Sequence, residues 1–474
     1  MSDHKHIIRL QAAMGEYDWG RQGSSSLAAR LGPNAVGPTF RVDEGKCYGE
    51  MCVGTHHNGP LTAHLFDSPS RSLLDLISTD TKAYLGEKLS DTPSSTTRIP
   101  YCIRILSIRK MAPLQAHPDL KGLAGQLRQS APDSFIDASF HKPQIAIALG
   151  EPLCITRAQY KGEGRATVGH AEVDDPDTAF MGFVGFRPLE EIKAFLEKIP
   201  ELVAAIDEPA LVIKFTQSPS NELLKQVYAK LLNRGAEARE EVAAVVKKLQ
   251  ERMMQNGAYV LGSRESEFLF RLFMKVNAQY PGDVGVLATT FFMNFAKLRK
   301  GEALYIGADE VYAYMEGDII ECKAISEPEN VASATTEDSP PPLTTQVRSS
   351  ISLLTFTSRP TSHWALPAQR YSQGRQHRSV KYGPPSEDYV VVGTFLSTLK
   401  AKEEVLEPIL TPTIGIVIRG KVRVSASSKK RGECLDLDEG SVIFVPPGNE
   451  IRVEVLEGKG QEGAGELWWA QWSA

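Results

Sequence analysis

Short β-branched runs bounded by Gly, Pro and Asn occupy both ends of this 474-residue chain, and a different period occupies its middle. Ile103 to Ile108, Gln144 to Leu149, Leu304 to Ile306 and Asp318 to Glu321 have the length and composition of strands. Toward the C-terminus the pattern returns in Ile414 to Ile418, Lys421 to Ser425 and Ser441 to Val445, punctuated by Gly420, Gly440 and the Pro446-Pro447-Gly448 turn. Strands this short and this regularly interrupted predict jelly-roll barrels. Between about 188 and 254 the spacing changes. Leu223, Leu224, Val227 and Leu231, then Val242, Val245, Val246 and Leu249, recur every three or four residues, which places each set on one helical face. A helical insertion over 188–261 is therefore expected within a mainly β chain.

The stretches 326–346 and 359–388 carry Pro, Ser, Thr, Gly and scattered charge and read as loops and linker, with some strand between them. The cations Arg370, Arg375, His377, Arg378 and Lys381 read first as a solvated surface, with a phosphate site as the alternative. A formal net charge of −5 gives no general reason to expect nucleic acid or membrane as a partner, and no apolar run is long enough for a membrane span. Six scattered cysteines without a Cys-x-x-Cys pair, and an N-terminus without a signal-peptide core, fit reduced thiols in the cytoplasm. The length suits two or three domains.

The candidate chemistry lies at Gln115-Ala116-His117-Pro118, behind the apolar run Tyr101 to Ile108. Gln115 and His117 alternate, so on a strand both side chains face one way, as a two-residue metal clamp would need. Alone, a Gln-x-His pair is weak evidence, since a buried hydrogen-bonded pair is commoner. Other motifs accompany it in order: Tyr17-Asp18-Trp19-Gly20, Gly23-Ser24-Ser25-Ser26, Tyr48 to His56, Tyr280-Pro281-Gly282-Asp283-Val284-Gly285, Gly301 to Tyr305 and Gly317 to Cys322. Together they resemble the type I phosphomannose isomerase family.

That resemblance implies two cupin (jelly-roll) barrels: an N-terminal catalytic domain from 1–187 and 262–325, the helical insertion at 188–261, loops and linker at 326–390, and a C-terminal barrel at 391–474. It implies zinc as cofactor, a sugar phosphate as small-molecule partner, a monomer, and interconversion of mannose 6-phosphate and fructose 6-phosphate for mannose and GDP-mannose supply. The zinc ligands fall at Gln115, His117, Gln144 and Tyr312. The last two stand where the family has Glu and His, in His141-Lys142-Pro143-Gln144 and Val311-Tyr312-Ala313-Tyr314. Arg104, Lys142 and Tyr314 match substrate-binding positions, and Ser333 stands where the family places its catalytic Arg.

These changes bear on the reaction. Moving a proton through an enediol builds negative charge on oxygen, which a Lewis acid and a fixed cation stabilise. Gln144 keeps the shape of the family carboxylate and loses its charge. Tyr312 offers a phenol that must shed a proton near pH ~10 to bind metal well, where imidazole binds neutral. Glu337 and Asp338 follow Ser333 and make acidic a segment that faces phosphate in the family. Weakened or lost zinc-dependent activity is therefore expected, with Gln144 and Tyr312 hydrogen-bonded to each other. The other readings are a non-catalytic sugar-phosphate-binding or regulatory homologue, and an isomerase of a different sugar.

Overall fold

The computed structural model describes residues 5–473 apart from 56–61, 92–97, 117–142, 151–177, 263–265, 325–342, 345–346, 349–350, 352–353, 355, 386–388, 429–430 and 457–462. Among the described residues two nine-stranded sheets, a four-stranded sheet and the two-stranded pair Arg21–Gln22 with Cys47–Tyr48 carry the β structure. The first sheet contains Ala13–Gly15, Glu50–Val53, Tyr101–Ile108, Tyr312–Ala324, Gln144–Ala148, Ala303–Ile306 and Ala365–Leu366 in that spatial order. Thr178–Phe186 and Met293–Arg299 attach to it through one half of Tyr312–Ala324. The second sheet and the four-stranded sheet, built mostly from residues after 368, enclose a separate core around Val392, Val424, Val453 and Trp469. This mainly β architecture with a helical insertion is the expected fold class.

Sequence order does not separate the sheets. Ile8–Gln11 pairs with Val442–Val445 on one side and with His64–Leu65 on the other, so the N-terminal strand is a central strand of the second sheet. Strand pairing is decided by which edge is free in space, a non-local property. Within 359–388 the chain likewise forms the edge strands Gln369–Arg370 and Ser379–Tyr382. Arg375 there is ion-paired to Glu450 at 2.7 Å, which favours the surface reading of that basic cluster over a phosphate site.

Helices run from Leu189–Lys198 through Val284–Phe292, further than the spacing between 188 and 254 suggests. Asn221–Glu237 buries Leu223, Leu224, Val227 and Leu231, and Arg239–Asn256 buries Val242, Val246 and Leu249, the faces read from the spacing. Val284–Phe292 is buried on every side, and so carries no amphipathic period to reveal it. Glu201, itself buried, receives two hydrogen bonds from Arg252 at 2.9 and 2.8 Å and ties Pro200–Ile206 to the longer helix.

The thirteen-residue strand Tyr312–Ala324 positions the site. Its first half pairs with Thr178–Phe186 and its second half with Tyr101–Ile108. The change of partner falls at Gly317, with φ of 123°, where a Cβ would lie 2.3 Å from the Ala179 carbonyl oxygen. Only glycine lets the strands approach so closely here.

Candidate active site

Alternation along three neighbouring strands sends one set of side chains to the core between the sheets and the other to a face where polar groups sit among Leu106, Ile108, Phe180 and Ile319. On Tyr101–Ile108, Ile103 and Ile105 join the core, while Cys102 and Arg104 point the other way. Register brings Glu321 opposite Arg104, and Lys323 opposite both Cys102 and Gln144. Gln115 reaches the same place by a short antiparallel bridge to Tyr312, whose two backbone hydrogen bonds are both 2.9 Å.

The side chains form a chain of hydrogen bonds with a defined direction. Burial pushes the Tyr314 phenol well above its ordinary range, helped by the Glu321 charge, so it keeps its proton and donates to Glu321 Oε1 at 3.0 Å. With its proton spent, the Tyr314 oxygen accepts from Gln144 Nε2 at 3.1 Å. That fixes the Gln144 amide with Oε1 toward Tyr312, 3.3 Å from the phenol oxygen. The Tyr312 hydroxyl donates to the nearer acceptor, Gln115 Oε1, at 2.6 Å. Gln144 Oε1 is the second, more distant acceptor beside that one hydroxyl proton, and Tyr312 and Gln144 are both almost wholly buried. At the other end Arg104 is ion-paired to Glu321 and, at 3.3 Å, to Glu50. Burial opposes the Arg104 charge, but the two carboxylates outweigh it and hold the guanidinium protonated. Phe180 packs edge-on against the Tyr314 ring, with centroids 5.4 Å apart.

Gln115, Gln144 and Tyr312, drawn from three distant segments, therefore meet, with Tyr314 and Arg104 beside them. His117, Lys142 and Ser333 lie outside the described residues. Lys323 was missed. It is buried, two positions along the strand from Glu321, and faces Gln144 across the ladder. Period-two counting from Glu321 is the sequence signal that would have found it.

This donor set does not fit a zinc ion of the usual kind. Zinc takes thiolate, imidazole or carboxylate ligands at about 2.0–2.3 Å, which at tetrahedral angles spaces oxygen donors roughly 3.3 Å apart. The Tyr312 and Gln115 oxygens stand 2.6 Å apart with a proton between them, and neither amide brings charge. Among the described residues, no three His, Cys, Asp or Glu side chains are grouped to hold a metal.

Residues 7–159 match the family described as phosphomannose isomerase type I, catalytic domain, and residues 201–293 match its helical insertion domain. The mannose-6-phosphate isomerase of Candida albicans is 31% identical over 471 residues, covering 96% of each chain. The chain belongs to the type I phosphomannose isomerase family. The human mannose-6-phosphate isomerase is 29% identical, again over 96% of each chain. Among solved structures, a zinc-bound mannose 6-phosphate isomerase superposes with a TM-score of 0.68 at 17% identity, covering 99% of this chain and 100% of that one. The apo form from Salmonella typhimurium gives 0.67 at 17% identity and the same coverage. At that identity these two superpositions speak to the fold alone.

Proposed function

We propose that this chain is a mannose-6-phosphate isomerase whose zinc-dependent turnover has been weakened while its sugar-phosphate pocket is kept. The full-length kinship carries the reaction: interconversion of mannose 6-phosphate and fructose 6-phosphate, serving mannose and GDP-mannose supply in the cytoplasm, by a monomer. The 2.6 Å hydrogen bond between Tyr312 and Gln115 carries the weakening, because the phenol occupies the place where a metal would have to polarise the carbonyl. Gln115, His117, Gln144 and Tyr312 are the remnant of the ligand set. Tyr314 and Lys142 bind the sugar. Arg104 helps less than its charge suggests, since two carboxylates already share it. Lys323 is a buried cation across the ladder from Gln144. In this reading 1–187 with 294–325 form the catalytic barrel, the helices up to Phe292 extend the insertion past 188–261, 326–390 are the linker and 391–474 the second barrel.

The test is turnover of mannose 6-phosphate in a coupled assay, beside calorimetric binding of the same sugar. Binding with turnover far below the ordinary enzymatic ~10 per second is the expected result. Binding with no turnover at all assigns the non-catalytic, regulatory reading, which the same hydrogen bond favours. Turnover at the ordinary rate contradicts the weakening, and turnover of another sugar alone would assign a changed substrate.

A further inference from the structure

A cavity of about 250 Å³ lies far along the chain from these residues, between the N-terminal strand Ile8–Gln11, the hairpin strand Ser68–Ser72 and the helices that follow it. Its polar wall brings together Lys5, Arg9 and Arg71 with Ser68, against a single acid, Asp67. Asp67 is taken by Lys5 at 3.5 Å, both side chains being mostly exposed. The two guanidiniums have no ion pair among the described residues. Arg9 instead lies over the Phe66 ring, 4.0 Å from its centroid, and its buried Nε has no hydrogen-bond partner. A cation resting on a π face gains less than one paired with an acid, and Arg71 acts electrostatically on Asp75 without a close ion pair to it among the described residues. The rest of the lining is largely apolar, made by Ile8, Leu65, Leu76 and the buried Tyr84 ring.

We propose that this cavity is a binding site for a phosphomonoester, its phosphate held by Arg9 and Arg71 and its organic part lying against Leu65, Leu76 and Tyr84. Guanidinium groups recognise phosphate oxygens through paired N–H donors, and the volume exceeds what a bare phosphate fills. The position gives binding a consequence. Leu10 pairs with Leu65, whose strand pairs in turn with Ser68–Ser72, so a ligand spanning Arg9 and Arg71 links the N-terminal strand to this hairpin.

The experiment uses the full chain and phenyl phosphate as probe, with inorganic phosphate as comparison, titrated calorimetrically at ionic strength matched with sodium chloride. Phenyl phosphate is expected to bind more tightly than inorganic phosphate and to raise Tm. Arg71→Gln and Arg9→Gln should each weaken it at least tenfold, and Arg71→Lys, which keeps the charge and loses the fork, should fall between. Binding unchanged in Arg71→Gln and Arg9→Gln overturns the assignment, as does the absence of phenyl phosphate binding to the wild type. Should a Gln variant fold poorly, by circular dichroism, the Arg71→Lys affinity decides: equality with wild type counts against the site. Each outcome is independent of mannose 6-phosphate turnover.

Discussion

Placing at these positions the carboxylate and imidazole that the family resemblance implies, Gln144→Glu with Tyr312→His, should convert a hydrogen-bonded pocket into a zinc site. The geometry sets the expectation. The Tyr312 oxygen now lies 2.6 Å from Gln115 Oε1 and 3.3 Å from Gln144 Oε1, so the phenol's tip fills the space where their donors converge. Imidazole is shorter, and withdraws that oxygen while presenting a neutral nitrogen lone pair. The new carboxylate at 144 would face Tyr314, whose single proton already goes to Glu321. Two carboxylates would then compete for one donor, which makes the metal-free double variant less stable and a bound cation correspondingly more favourable. Zinc affinity should rise by well over tenfold, more than ~1.4 kcal/mol. Free zinc at a hundred times Kd should then stabilise the double variant by about 2.7 kcal/mol. The assay is competitive titration with a zinc chelator at fixed pH on wild type, both single variants and the double variant, with Tm followed in parallel. Equal affinity in wild type and double variant would refute the reasoning, as would a wild type that already holds stoichiometric zinc.

Three other outcomes follow from the same structure. Tyr312→Phe removes the donor to Gln115 and leaves partly buried acceptors unpaired, so stability to urea should fall by about 1–3 kcal/mol; an unchanged midpoint and slope would show the bond contributes nothing. Ser333→Arg in the zinc-restored background should raise turnover of mannose 6-phosphate by roughly 10²–10³, the worth of a lost oxyanion donor, and no gain would place the catalytic cation elsewhere. Glu466 is buried with Trp468 Nε1 donating to it at 2.7 Å, and burial raises its pKa despite Lys300 and Arg419. A raised carboxylate favours folding below its unfolded value, near 4.5, and loses that contribution as pH climbs through the folded one. Glu466→Gln should therefore gain Tm relative to wild type between pH 5 and pH 8; a constant or shrinking difference would mean the charge is adequately solvated.

The sequence by itself determined what local chemistry can determine. Three- and four-residue spacing gave the faces of Asn221–Glu237 and Arg239–Asn256, because an amphipathic helix writes its burial into neighbouring positions. The order of the motifs pointed to Gln115, Gln144 and Tyr312 as neighbours, and their side chains do lie within hydrogen-bonding reach. Val284–Phe292 was not legible as a helix, being apolar all round. Tertiary structure alone decided the rest. That Ile8–Gln11 would join Val442–Val445 depends on which sheet edge lies open, and nothing local records it. The same holds at the site. Sequence supplied a phenol and two amides, but the direction of their hydrogen bonds follows from Tyr314 being buried against Glu321, and the neutralisation of Arg104 from register placing it opposite that same carboxylate with Glu50 alongside. Protonation and charge compensation depend on distance and desolvation in three dimensions, and those are set only when the strands have paired.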